Sequence, residues 1–223
     1  MNELRYTLLT DGSSDKTLMN IIQWLLNDIY PQLPCIGSFA DLRQLRNPPL
    51  LGDVNQRIFE AGNLFPFDIL FYHRDAEDFG RDIINRRKIE ILGKVDAQLV
   101  LKIVCVVPVT MMETWLLIDR DAIKKAAGNR NYPGTIDLPA LSRLEAVRDT
   151  KSKLHQILLT ASGTKGRRRK TFNSNFAVHL VAEYIKDYSP LRELSAFQEF
   201  ENDLKKAVTL FLQNQRLGNK EHG

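Results

Sequence analysis

Between Leu4 and Val109 the chain alternates between two rhythms of apolar residues. Leu4 to Thr10, Pro34 to Phe39, Asp68 to His73 and Lys102 to Val109 are short aliphatic and aromatic runs, the pattern of strands. Lys102 to Val109 is the most strand-like run. Asp68 to His73 lacks the polar alternation of a half-exposed strand and reads as buried on both faces. The intervening segments change period. Leu18, Ile21, Ile22, Leu25 and Ile29 recur at helical spacing, with Ser13 or Ser14 as N-cap and Pro31 as the stop. Asp53 to Ala61, capped by Asp53, and a polar stretch from Asp82 to Val95 predict two more helices. This alternation predicts an α/β fold: a mostly parallel, Rossmann-like sheet with helices on both faces.

After the last strand, Trp115, Leu116 and Leu117 supply an apolar anchor, and Asp119 or Asp121 caps a short helix ending near Gly128. From Asn129 onward only helical patterns remain: Leu141 to Val147, Lys151 to Thr160, Asn173 to Lys186 and Ala196 to Gln213. Phe197, Phe200, Leu204, Val208 and Phe211 line one face of the last, and Ser195 with Gln198 form a capping-box pair at its start. The expected organisation is an α/β domain over residues 1–128, a helical C-terminal region over 129–217 with a basic loop from Gly163 to Lys170, and a disordered tail over 218–223.

Composition narrows the class. Hydrophobic residues make up 43% and charged residues 26%, which excludes a disordered chain. No apolar run approaches a membrane span and no signal-peptide core follows Met1, so a cytoplasmic protein without a membrane partner is expected. Cys35 and Cys105 sit inside apolar runs without His or Cys at ligand spacing, which speaks for small hydrophobes rather than a disulfide or zinc. The net charge of +4 is unevenly spread. From Thr150 to Ala182 there is no acid, yet Lys151, Lys153, Lys165, Arg167, Arg168, Arg169 and Lys170 are all there. Without those seven, 24 Lys and Arg remain against 27 Asp and Glu, so the excess is local and points to a polyanion. Phe172 beside the run is a candidate for stacking on a base.

The chemistry is expected where the strands end. Asp75 and Glu77 follow the buried strand, and in a still-extended turn residues two apart point the same way. Two carboxylates at one point repel unless a proton or cation lies between them, and oxygen ligands suit Mg2+ or Mn2+. Asp11 ends the first strand and joins them if those strands are neighbours; Glu113 follows the last strand closely enough to do the same. Asp15 is placed with the first turn of its helix, and Arg74 is available to a carboxylate or a substrate phosphate. The motifs G-x-x-x-x-G-K-[ST], G-x-G-x-x-G and G-x-S-x-G are absent, as is a second aspartate two residues after Asp11 for a phosphatase.

Asp11-Gly12 with Asp15 after strand one, the Asp75/Glu77 pair after the central strand, and the βαβ order together resemble the Toprim domain of topoisomerases, primases and overcoming-lysogenization-defect nucleases. His73-Arg74-Asp75-Ala76-Glu77 and Glu113-Thr114-Trp115-Leu116-Leu117-Ile118-Asp119 look more specifically like a bacterial Toprim-like family found beside ATPases in anti-phage defence loci. The resemblance implies a Mg2+- or Mn2+-dependent nuclease acting on DNA or RNA, tRNA included, with an ATPase partner. Asp11 stands where Toprim domains usually place a glutamate, and Asp75 and Glu77 stand at the metal-binding pair. By the same resemblance Asp11, Asp75, Glu77 and Glu113 are the catalytic and metal-binding residues. Lys165, Arg167, Arg168, Arg169, Lys170 and Arg74 are the expected nucleic-acid contacts. Asp for Glu at 11 and Glu for Asp at 77 keep a second reading open: a non-catalytic nucleic-acid-binding or regulatory subunit.

Overall fold

The computed structural model describes residues 3–12, 14–78 and 82–221. Four parallel strands, β1 (Leu4–Leu9), β2 (Cys35–Ala40), β3 (Ile69–His73) and β4 (Ile103–Val106), form one sheet in the order β2-β1-β3-β4. Side chains alternate between the two faces of the sheet. Tyr6, Leu8, Phe71, Val104 and Val106 point into one hydrophobic cluster, and Leu9, Leu70, Tyr72 and Cys105 into a second on the opposite face. Every residue of β3 is buried. Tyr6 pairs in register with Gly37, and a Cβ on Gly37 would come within 2.3 Å of the tyrosine ring, so only glycine fits beneath it.

Helix α1 (Leu18–Ile29) buries Leu18, Ile21, Ile22 and Leu25 as their spacing predicts. The second face is covered by α2 (Val54–Leu64), whose cap Asp53 accepts from the Gln56 amide, by α3 (Ile83–Leu92) and by the short α4 (Ala97–Val100). Beyond β4, a 3-10 turn (Met112–Leu116) drives Trp115 and Leu116 into the core, and Asp119 caps α5 (Arg120–Ala126). The helical remainder comprises α6 (Leu141–Leu144), α7 (Thr150–Ala161), α8 (Gly166–Lys170), α9 (Ser174–Tyr184) and α10 (Ser195–Glu221). Ser13 and residues 222–223, on which two sequence expectations fall, lie outside the described residues; the last helix itself continues to Glu221.

Two local expectations give way to tertiary contacts. Gly166–Lys170 is a short helix rather than loop, since Arg and Lys are good helix formers and the Thr171 hydroxyl closes onto the Arg168 carbonyl at 3.2 Å. The start of α10 is not a capping box. The Glu145 carboxylate accepts from the Ser195 and Ala196 amides and the Ser195 hydroxyl, while the Gln198 amide donates to the Arg192 carbonyl. A carboxylate from fifty residues away satisfies the orphan donors better than a neutral amide can.

The helical region is fused to the sheet. Phe200 of α10 meets Phe71 of β3 (ring centroids 5.9 Å) and stacks on Trp115 (5.8 Å), which also meets Phe197 edge-on at 5.3 Å. One cluster runs from Leu4 through Trp115 to Leu154, Ala177 and Val208, across the boundary expected near residue 128. Among the described residues no helix is long and apolar enough to cross a membrane.

Candidate functional site

The chain leaves β1 outward to β2, then crosses back to β3. That reversal opens a crevice at the carboxyl ends of β1 and β3, where parallel α/β sheets take ligands. Asp11 and Gly12 stand on one side, His73 to Glu77 on the other, and the turn bearing Glu113 closes the end beyond β4.

Asp75 is the centre of this edge. Its Oδ1 is buried without a hydrogen-bond partner. His73 Nε2 lies 3.5 Å from that oxygen and 3.8 Å from Asp15 Oδ2. The other ring nitrogen, Nδ1, is 2.9 Å from the Val106 carbonyl, which can only accept, so Nδ1 carries hydrogen. Nε2 therefore turns a lone pair toward carboxylate oxygens unless a proton sits on it or on Asp75. Burial pushes the Asp75 carboxyl up to about 6; His73 and the Met112 amide oppose the rise, and the charges of Asp15 and Glu113 add to it. Asp15 also accepts from the Gly12 amide at 3.1 Å, so it serves its own turn and the cluster together.

Asp11 and Glu77, expected beside Asp75, are directed elsewhere. Asp11 is held by two guanidinium groups, Arg57 at 2.9 Å and Arg74 at 3.3 Å; Arg57, almost fully buried, also donates to the Thr10 carbonyl. Arg74 thus steadies a carboxylate. Glu77 departs because the turn is not extended there: its φ is +59°, and its amide is pinned to the Thr110 carbonyl. The left-handed residue swings its side chain into solvent, 76% exposed, where Arg87 lies 3.6 Å away. Thr110, facing it after β4, has φ +62°, a strained conformation for a β-branched residue. Backbone strain on both sides of the crevice fits a functional edge.

Glu113 is only 4% exposed, and among the described residues no hydrogen bond or ion pair reaches its carboxylate. It lines a 280 Å³ cleft together with Ser14, Lys151, His155, Asn175 and His179. The far wall comes from the C-terminal helices. α7 packs on the turn bearing Glu113, where the Thr114 hydroxyl donates to Thr150 Oγ1 at 3.1 Å, and α9 packs on the 3-10 turn (Ser14–Thr17) bearing Asp15. Sequence reasoning missed His155 and His179, although the signal was present. Lys151 and His155, like Asn175 and His179, are four apart and share one helix face.

Lys165, Arg167, Arg168, Arg169 and Lys170 are all exposed, on or just before α8. Phe172 packs against the core instead of offering a free ring, whereas Phe176, near the start of α9, is 59% exposed. A larger cleft of 480 Å³ beside α3 and α10 is lined by Glu145 and Glu199, both engaged, one with the start of α10 and one with Lys88. Burial pushes the Cys35 thiol up to about 11 and Cys105 to about 12, so neither is a nucleophile at neutral pH.

Among the described residues no three His, Cys, Asp or Glu side chains meet in a ready-made metal cage. Mg2+ seldom uses one. It keeps several waters and binds through one or two carboxylates and a substrate phosphate. The orphaned Asp75 oxygen and the buried Glu113 carboxylate are donors of that kind. The chain matches no family model, no curated protein and no solved structure.

Proposed function

We propose that this chain is a Mg2+-dependent, Toprim-like nuclease that cleaves phosphodiester bonds in nucleic acid. The observation that carries the reading is Asp75: a half-buried carboxyl raised to about 6, whose Oδ1 is fully buried and unpartnered, at the switch point of a parallel sheet. Asp75 and Glu113, with Asp15 behind them, would hold the Mg2+ or Mn2+ ion. When bound, such an ion polarises the phosphodiester and lowers the pKa of a water for attack. The protein's own side chains supply the surroundings. His73, fixed by the Val106 carbonyl, stands 3.5 Å from Asp75 Oδ1 and orients that carboxylate. Arg57 and Arg74 neutralise Asp11, which keeps a further negative charge from opposing the phosphate. The exposed cations of α8 would hold the backbone of DNA or RNA, tRNA included, without reading sequence. A role as effector of an anti-phage system with an ATPase partner rests on the motif resemblance alone.

The pairing of Asp11 with two arginines favours a second reading, a non-catalytic nucleic-acid-binding or regulatory subunit. One experiment separates them. Purified protein is incubated with Mg2+ or Mn2+ and single- or double-stranded DNA or RNA. The wild type is expected to cleave and Asp75→Ala to be inactive while retaining its circular dichroism spectrum. Cleavage by Asp75→Ala at the wild-type rate would overturn the site. A wild type that binds through α8 and cleaves nothing would favour the second reading.

A further inference from the structure

We infer that the 280 Å³ cleft between the Glu113 turn and helices α7 and α9 is a phosphate-receiving subsite, in which Lys151, His155 and His179 hold one phosphate group of the nucleic acid. Every donor on the far wall comes from the helical region. Lys151 brings an ammonium group and Asn175 an amide, and His155 and His179 bring imidazole N–H groups, all suited to phosphate oxygens. The His155 ring is fixed, with Nδ1 2.7 Å from the Ser174 hydroxyl, so one edge is spoken for and the ring cannot swing away. Ser174 and Asn175 also begin the eleven-residue α9; its Phe176 amide is taken by the Asn173 cap, and its dipole adds to the donors of the wall.

Two carboxylates belong to the same neighbourhood. Asp149 caps α7 through the Ser152 amide and lies near His155 and Lys151, while Glu113 faces the donors across the cleft. Glu113 would repel a phosphate on its own. A divalent ion between it and the phosphate removes that conflict, and here the inference rests on the nuclease reading. The two walls then divide the work: the sheet edge takes the cation, the helices take the anion. The helical region is thereby a part of the site, consistent with the one core it shares with the sheet.

The test reads binding, not cleavage. The His155 and His179 imidazole NMR signals, assigned with His155→Gln and His179→Gln, are followed during titration of the full chain with inorganic phosphate in the presence of Mg2+. Both signals are expected to move saturably, and Lys151→Met to weaken binding roughly tenfold or more, as loss of a charge-assisted bond does. A remote change, Lys206→Met, should leave the titration curve unmoved. Signals that stay still, or that move identically in Lys151→Met, overturn the subsite even where the wild type cleaves nucleic acid. A wild type that cleaves nothing while the titration succeeds overturns the nuclease reading and leaves the subsite standing.

Discussion

Asp75→Asn separates the charge of the central carboxylate from its shape, and its expected effect is a gain in stability. Raising a carboxyl from 3.8 to about 6 corresponds to at most about 3 kcal/mol, at about 1.4 kcal/mol per pH unit, for keeping the ionised form in its half-buried setting at neutral pH, solvent screening included. The sign follows from linkage. The folded protein binds this proton more tightly than the unfolded chain, so the contribution of Asp75 to stability is greatest at low pH. It is lost as pH rises from about 4 to about 6 and stays lost above that. Asparagine has no charge to bury, can still accept from the Met112 amide, and offers an N–H toward His73 Nε2. It forfeits only the attraction of the carboxylate for His73, so a net gain of about 1–3 kcal/mol at pH 7 is expected, or roughly 2–10 °C in Tm for a chain of this size. Urea unfolding of both proteins at several pH values from 4 to 8, with and without Mg2+, measures it. The difference should open between pH 4 and 6 and then level. Mg2+ should narrow it by stabilising the wild type alone, by about 1.4 kcal/mol at ten times Kd. A difference flat with pH would show that the Asp75 carboxyl is not raised by its desolvation, and equal stabilisation of both proteins by Mg2+ would place the ion elsewhere.

Two further outcomes are expected. Trp115→Ala removes the ring that joins the sheet to α10 through Phe197 and Phe200, at a cost of about 3–5 kcal/mol in chemical denaturation. Replacing Arg167, Arg168 and Arg169 with Gln should weaken nucleic-acid binding uniformly across sequences. It should also lower the slope of log K against log salt by about one for each phosphate that is no longer neutralised; an unchanged slope would remove α8 from the interface.

Much of the fold was legible because it is local. The apolar rhythm of Leu18, Ile21, Ile22 and Leu25, the buried run of β3 and the Asp53 and Asp119 caps depend on neighbours within a few residues, and the structure has each as expected. That Asp11 and Asp75 follow the carboxyl ends of their strands was legible too, since parallel strands end where their loops begin, and those strands are neighbours. The membership of the cluster was not. Whether Glu77 points with Asp75 turns on the sign of one dihedral angle, set by a bond to Thr110 that no short-range pattern encodes. Whether Asp11 is free turns on Arg57, which arrives from α2.

The same division marks what each level determined for this protein. Its sequence by itself determines the α/β class, the carboxylates at the strand ends and the basic run, because hydrophobic period and local charge survive any arrangement of the elements. Tertiary structure alone decides that Asp15 joins the expected Glu113 in acting on Asp75 while Asp11 and Glu77 are turned away, and that two helical faces from the far end of the chain wall the same cleft. Electrostatic energy depends on distance and burial, and both are created only when segments remote in sequence are packed against one another.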